Sequence, residues 1–123
     1  MITYDDFKKV EIRAGKILSA EKIPDTDKLL KLSVDFAESK EIVLEDGTKQ
    51  VTPAPRQIVS GISLYFPDPA VLVGKTCMFV TNLEPRMIKG FESNGMLFAV
   101  STGEGAFSLL EPSSSIPAGT KAA

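Results

Sequence analysis

Val10-Glu-Ile-Arg-Ala-Gly-Lys-Ile-Leu-Ser-Ala20 is the stretch whose reading decides the fold. Val10, Ile12 and Ala14 share one face of an extended chain and Glu11 and Arg13 the other, because successive strand side chains point to opposite sides. After Gly15 the phase slips by one, and Ile17 falls on the apolar side. A two-residue period that slips at a glycine predicts a β-bulge there. Small barrels use such bulges to bend a long first strand around the closing sheet.

Upstream, Thr3-Tyr-Asp-Asp6 reads as a capping box that opens a short helix to about Lys9 and turns Phe7 toward the core. Downstream, Pro24-Asp-Thr-Asp27 is a turn by composition. Leu30, Leu32, Val34 and Phe36 then alternate with Lys31, Ser33 and Asp35, the plainest strand in the chain. Ile42 to Val51 predicts a hairpin turning at Asp46-Gly47, and Thr52-Pro-Ala-Pro55 a stiff connector. Arg56 to Ile62 is a further strand, and Pro67 to Val73 a helical turn ended by Gly74. Lys75 to Leu83, Gly95 to Val100 and Phe107 to Leu110 complete six short strands. Such a pattern indicates a barrel or sandwich. The long bulged first strand and the helical turn before the fourth favour an all-β, five-stranded OB-fold barrel. It would carry short helical turns, an inserted hairpin and a C-terminal extension. An SH3-like barrel suits the same pattern.

The 123 residues fit one domain, 1-123, with an acidic insertion at 38-55 and a tail at 112-123. A content of 43% apolar and 24% charged residues is that of a soluble globular protein. No apolar run approaches the roughly 20 residues of a membrane helix. The opening Met-Ile-Thr-Tyr-Asp-Asp has acids where a signal peptide has a basic and then an apolar region, so a cytoplasmic location with no membrane partner is expected. There is no histidine, which removes Ser-His-Asp triads, Cys-His pairs and nearly all zinc sites. The lone Cys77, within Cys-Met-Phe-Val, reads as a core residue. No cofactor or metal motif is found, and a non-catalytic role is expected.

The net charge of −2 is awkward for a nucleic-acid binder, but the charge is uneven. Residues 8 to 31 carry seven Lys/Arg against four acids, whereas 35 to 49 carry five acids against two lysines. Any phosphate site must therefore be a local patch. Asn82 to Met96 joins two apolar strands and is long for a connection in a compact domain. Arg86 and Lys89 are spaced to serve neighbouring phosphates, and Asn82, Ser93 and Asn94 can hydrogen-bond phosphate or sugar. Met87 and Met96 offer soft contact to a base. By residue type alone, a solvated loop with turn glycines at Gly90 and Gly95 is the better fit. Arg13, Lys16, Lys28 and Lys31 likewise suit either an RNA-facing sheet or a solubilising surface, with no aromatic among them to stack a base.

Several blocks occur in order: Phe7-Lys-Lys-Val-Glu-Ile-Arg-Ala-Gly-Lys-Ile17, Pro24-Asp-Thr-Asp-Lys-Leu29, Arg56-Gln-Ile-Val-Ser-Gly-Ile62, Leu72-Val-Gly74, Asn82-Leu-Glu-Pro-Arg86 and Glu92-Ser-Asn-Gly-Met96. This pattern resembles the tRNA-binding domain of methionyl-tRNA synthetase C-termini, synthetase cofactors and free-standing tRNA-binding proteins. The resemblance implies an OB fold and non-catalytic, largely sequence-nonspecific, shape-dependent tRNA binding. It also implies a homodimer and the possibility of a synthetase catalytic chain as partner. Carried over by position, it assigns tRNA contact to Asn82, Arg86, Lys89, Ser93 and Met96, with Lys28 as a further candidate. The family more often has a second basic residue where this chain has Met87. CsaA-type peptide-binding chaperones share the implied fold and dimer and supply the alternative reading. The apolar, turn-rich tail Ile116 to Lys121 is expected at the subunit interface.

Overall fold

The computed structural model describes all 123 residues. The expected capping box opens α1 (Tyr4–Phe7): Thr3 Oγ1 accepts from Asp6 N at 3.1 Å, and Asp6 Oδ2 from Thr3 N at 3.2 Å. A single turn cannot present a core face. Phe7 is accordingly 48% exposed rather than buried.

β1 (Ile12–Lys22) is the long bent strand on which the barrel is built. The bulge lies at Leu18, between the pairs Ile17↔Val34 and Ser19↔Ser33, and not at Gly15. The apparent phase slip has another cause. Ala14 is buried with the C-terminal tail laid along it, Ala14 N donating to Thr120 O and Gly119 N to Ala14 O. Gly15 and Ile17 keep a common inward phase. The glycine at 15 answers a packing demand, since a Cβ there would lie 2.5 Å from the Phe36 ring.

β2 (Leu30–Asp35) alternates as read, with Leu30, Leu32 and Val34 fully buried. β3 (Ser39–Val43) and β4 (Lys49–Pro53) form the inserted hairpin, turning through Asp46 and Gly47, and both strands are largely exposed. β5 (Arg56–Ser60) follows. The expected helical turn is a 3₁₀ turn over Pro69–Leu72, capped by Asp68, and a second one spans Ser63–Tyr65. Buried Leu72 joins the core cluster. β6 (Thr76–Val80) contributes Cys77 and Phe79, and the Phe79 ring meets Phe36 edge-on at 5.3 Å. Further on are β7 (Arg86–Ile88), β8 (Phe91–Ser93), β9 (Met96–Leu97), β10 (Ala99–Ser101) and β11 (Phe107–Leu109). Gly95 to Val100, read as one strand, is thus broken at Phe98.

Five strands form one antiparallel sheet in the order β5-β2-β1-β6-β9. The sheet curls into a nearly closed OB-like barrel. Its end strand β5 is tied to the segment that leads into β9 by Val59 N donating to Ser93 Oγ at 3.0 Å and Asn94 N donating to Gln57 O at 2.8 Å. The tail returns to the free edge of β1, adding a bridge between Arg13 and Lys121 and a bond from Ala122 N to Ile12 O. No helix is long and apolar enough to cross a membrane.

Cys77 is fully buried, and loss of water around the thiolate pushes its pKa up to about 11. The thiolate is the reactive form. Cys77 should therefore resist a thiol reagent at pH 8 in the native protein and react at once in denaturant. Rapid native labelling would show that the barrel opens locally around β6.

Candidate nucleic-acid interface

Asn82 to Met96 is not an open loop. β7 and β8 pair as a hairpin in the register Arg86↔Ser93, Met87↔Glu92 and Ile88↔Phe91. Lys89 and Gly90 make its two-residue turn, with φ of 51° and 85°. Positive φ at both positions is the signature of a type I′ turn, whose twist matches that of the strands it joins. The pleat places Arg86, Ile88, Phe91 and Ser93 on the side toward the barrel, and Met87 and Glu92 on the outer side. Burial agrees: Ser93 is 4% exposed and Met87 69%.

The six predicted residues divide into two groups. Arg86 and Met96 are exposed and line one shallow depression together with Val59, Leu83, Glu84 and Ile88. Lys28 and Lys89, far apart in sequence, line another with Asp25 and Asp27. Arg86, Lys89 and Lys28 form no ion pair, whereas Lys9, Arg13, Lys31, Lys49, Arg56 and Lys75 all do. Asn82 and Ser93 hold the scaffold instead. Asn82 Oδ1 accepts from Glu11 N at 2.8 Å and its Nδ2 donates to Lys9 O at 2.5 Å, pinning the N-terminal segment. The buried Ser93 hydroxyl accepts from Val59 N and lies 3.3 Å from Gly95 O. Both side chains therefore help position the hairpin; Ser93 is buried in doing so, whereas Asn82 remains exposed.

An aromatic also reaches this surface, contrary to the sequence reading. Phe91 lies beneath Lys31, whose Nζ is 4.9 Å from the ring centroid and 3.5 Å from Glu21. Alternation in β2 had turned Lys31 outward, but only the pairing of β7 with β8 brings Phe91 there.

The acidic insertion is less acidic toward the site than its composition suggests. Glu38 forms a bidentate pair with Arg56, at 2.7 Å to Nε and 2.8 Å to Nη2, and lies 4.0 Å from Arg13. The hydrogen bonds from Arg56 hold the Glu38 carboxyl below its ordinary pKa, and Glu38 raises that of Arg56 in return. Glu41 pairs with Lys49 at 3.7 Å, and Asp46 is occupied by the turn, accepting from Thr48 N and Oγ1. Arg13 and Arg56, basic in the sequence, are spent within the fold.

Lys89 pays a local cost for its place at the tip. A side chain with a Cβ in the left-handed region costs about 1–2 kcal/mol, and asparagine tolerates it better. Lys89→Asn should raise the melting temperature by a few degrees, corresponding to about 0.5–1 kcal/mol. A lower melting temperature would mean that Lys89 makes contacts outweighing the backbone strain.

Residues 12–121 match the family model described as a putative tRNA binding domain. The methionine–tRNA ligase of Methanospirillum hungatei is 45% identical over 120 residues, which are 98% of this chain and 15% of that protein. The chain thus spans only a small part of the curated relatives it matches. Among solved structures, a methionyl-tRNA synthetase related protein from Pyrococcus horikoshii superposes with a TM-score of 0.80 at 34% identity, covering 99% of this chain and 97% of its own. The CsaA chaperone protein of Picrophilus torridus gives 0.77 at 28% identity, with all of both chains covered.

Proposed function

The chain belongs to the tRNA-binding domain family, and from that premise we propose that it binds tRNA through the β7–β8 hairpin, without catalysis, as a homodimer. The observation that carries this reading is that the hairpin bears two exposed cations without ion pairs, Arg86 on β7 and Lys89 at its turn, and that Lys89 lines a depression with a third, Lys28. Phosphate contacts of this kind fix register and carry no sequence information, so recognition is of the folded shape of tRNA. Binding is local, because a net charge of −2 supplies little long-range attraction. Exposed apolar residues at the N-terminal turn, Tyr4, Phe7 and Val10, line a depression with the chain end at Lys121 to Ala123, and support pairing of two copies there. Relatives that are methionine–tRNA ligases support extending the reading to an accessory role beside a synthetase catalytic chain in the cytoplasm.

The likeness to a CsaA chaperone across the whole chain favours one second reading, a peptide-binding chaperone. A gel shift decides between them. The tRNA-binding reading expects retention of tRNA, weaker retention of double-stranded DNA, and a dimer mass by light scattering at micromolar concentration. Capture of unfolded peptide with no tRNA shift would favour the chaperone.

A further inference from the structure

β5 grips the returning half of the hairpin residue by residue. Gln57 Nε2 donates to Glu92 O at 3.0 Å, Val59 N to Ser93 Oγ at 3.0 Å, and Asn94 N to Gln57 O at 2.8 Å. Arg56 reaches further. Its Nη1 donates to Thr81 O at 2.5 Å and lies 3.4 Å from Asn94 O. These two carbonyls sit just outside the two ends of residues 82–93, so one nitrogen ties both feet of the hairpin. The other edge of the guanidinium is held by Glu38, and its Cζ lies 5.4 Å from the Phe36 ring centroid. The first foot is also held by Glu11, whose carbonyl accepts from Thr81 N at 2.9 Å and whose Oε1 accepts from Thr81 Oγ1 at 2.7 Å.

A planar fork with five donors can serve a carboxylate on one edge and carbonyls on the other; a lysine ammonium cannot reproduce that geometry. With Glu38 engaged, the guanidinium has a fixed plane and its Nη1 a fixed aim. We propose that Arg56, oriented by Glu38, is a positioning residue for RNA binding, setting the spacing of the hairpin's feet and so the aim of Arg86 and Lys89. Arg56 does not itself touch RNA, since both its edges are committed within the fold. The inference rests on the proposed function and adds the first residue of the inserted segment to the site, through Glu38.

Two substitutions test it, Arg56→Lys and Glu38→Gln, the second keeping the shape of the side chain. Hydrogen exchange on the free protein should quicken about tenfold for amides 86–93, with β1, β2 and β6 unchanged. Affinity for tRNA should fall about fivefold with an unaltered salt slope, because preorganisation is lost and no phosphate contact is. Arg86→Ala, by contrast, should flatten that slope. Exchange that quickens equally in every strand would reduce Arg56 to a general stabiliser and overturn the proposal. So would unchanged exchange at 86–93 with tRNA binding intact. A wild-type chain that retains no tRNA instead overturns the functional reading, and the exchange measurement then judges the hairpin's anchoring alone.

Discussion

The double substitution Arg86→Ala with Lys89→Ala removes four contacts from the dimer and should weaken tRNA binding about ten-thousandfold at 0.1 M salt while leaving the barrel folded. Both side chains are exposed and neither forms an ion pair, so removing them leaves no buried group stranded. Each charge-assisted contact to phosphate is worth about 1.5 kcal/mol, or roughly tenfold. The salt dependence gives an independent check. Each neutralised phosphate adds about −0.7 to −0.9 to the slope of log affinity against log salt. Two residues in each of two subunits predict a wild-type slope of about −2 to −4, nearly abolished in the double variant. Affinity and slope unchanged from wild type would remove the hairpin from the RNA contact surface.

Met87 bears on the same balance. Its position is on the outer face of the hairpin, paired across from Glu92 and 69% exposed. A basic residue there would add a third cation on the face opposite Arg86. With Met87 beside Glu92 this chain offers no positive charge on that face, which is why the predicted slope is shallow.

What the sequence made legible follows from how local each signal is. Alternation in β2 and the capping box at Thr3 each depend on residues within one or two turns of chain, and both hold as read. The bulge was misplaced because burial of Ala14 comes from residues 119–122, a contact that no local period records. Asn82 to Met96 passed for a loop because its strands have three residues each and its turn uses Lys-Gly, a weaker hairpin signal than Asn-Gly. Asn82 and Ser93 also fasten the fold internally, a role the sequence does not display, because an amide or hydroxyl suits backbone groups as well as a phosphate. Arg56 and Glu38 were unreadable as partners: 18 residues separate them, and only the return of the inserted hairpin to its base brings them together.

Gly15→Val should lower stability by about 3 kcal/mol, the upper end of what overpacking a core costs. The backbone at Gly15 lies outside the left-handed region, so the demand is for space. An ideal Cβ would stand 2.5 Å from Phe36 Cε1 and 2.6 Å from Val34 Cγ1, both inside contact distance. Neither neighbour can yield cheaply. The Phe36 ring is wedged edge-on against Phe79 and lies under the guanidinium of Arg56, and Val34 is held between Ile17 and Arg56 by strand pairing on both sides. At about 3 °C per kcal/mol for a domain of this size, the melting temperature should fall by roughly 10 °C. Gly15→Ala should cost less, about 1–2 kcal/mol, since one carbon meets the same atoms without adding branches. Combining it with Val34→Ala should restore part of that loss, because the alanine Cβ then fills space the valine has vacated. The coupling between the two sites is the decisive quantity. Strict additivity would mean that β1 bends away from β2 to admit the new carbon, and that Val34 is not what excludes a side chain at Gly15.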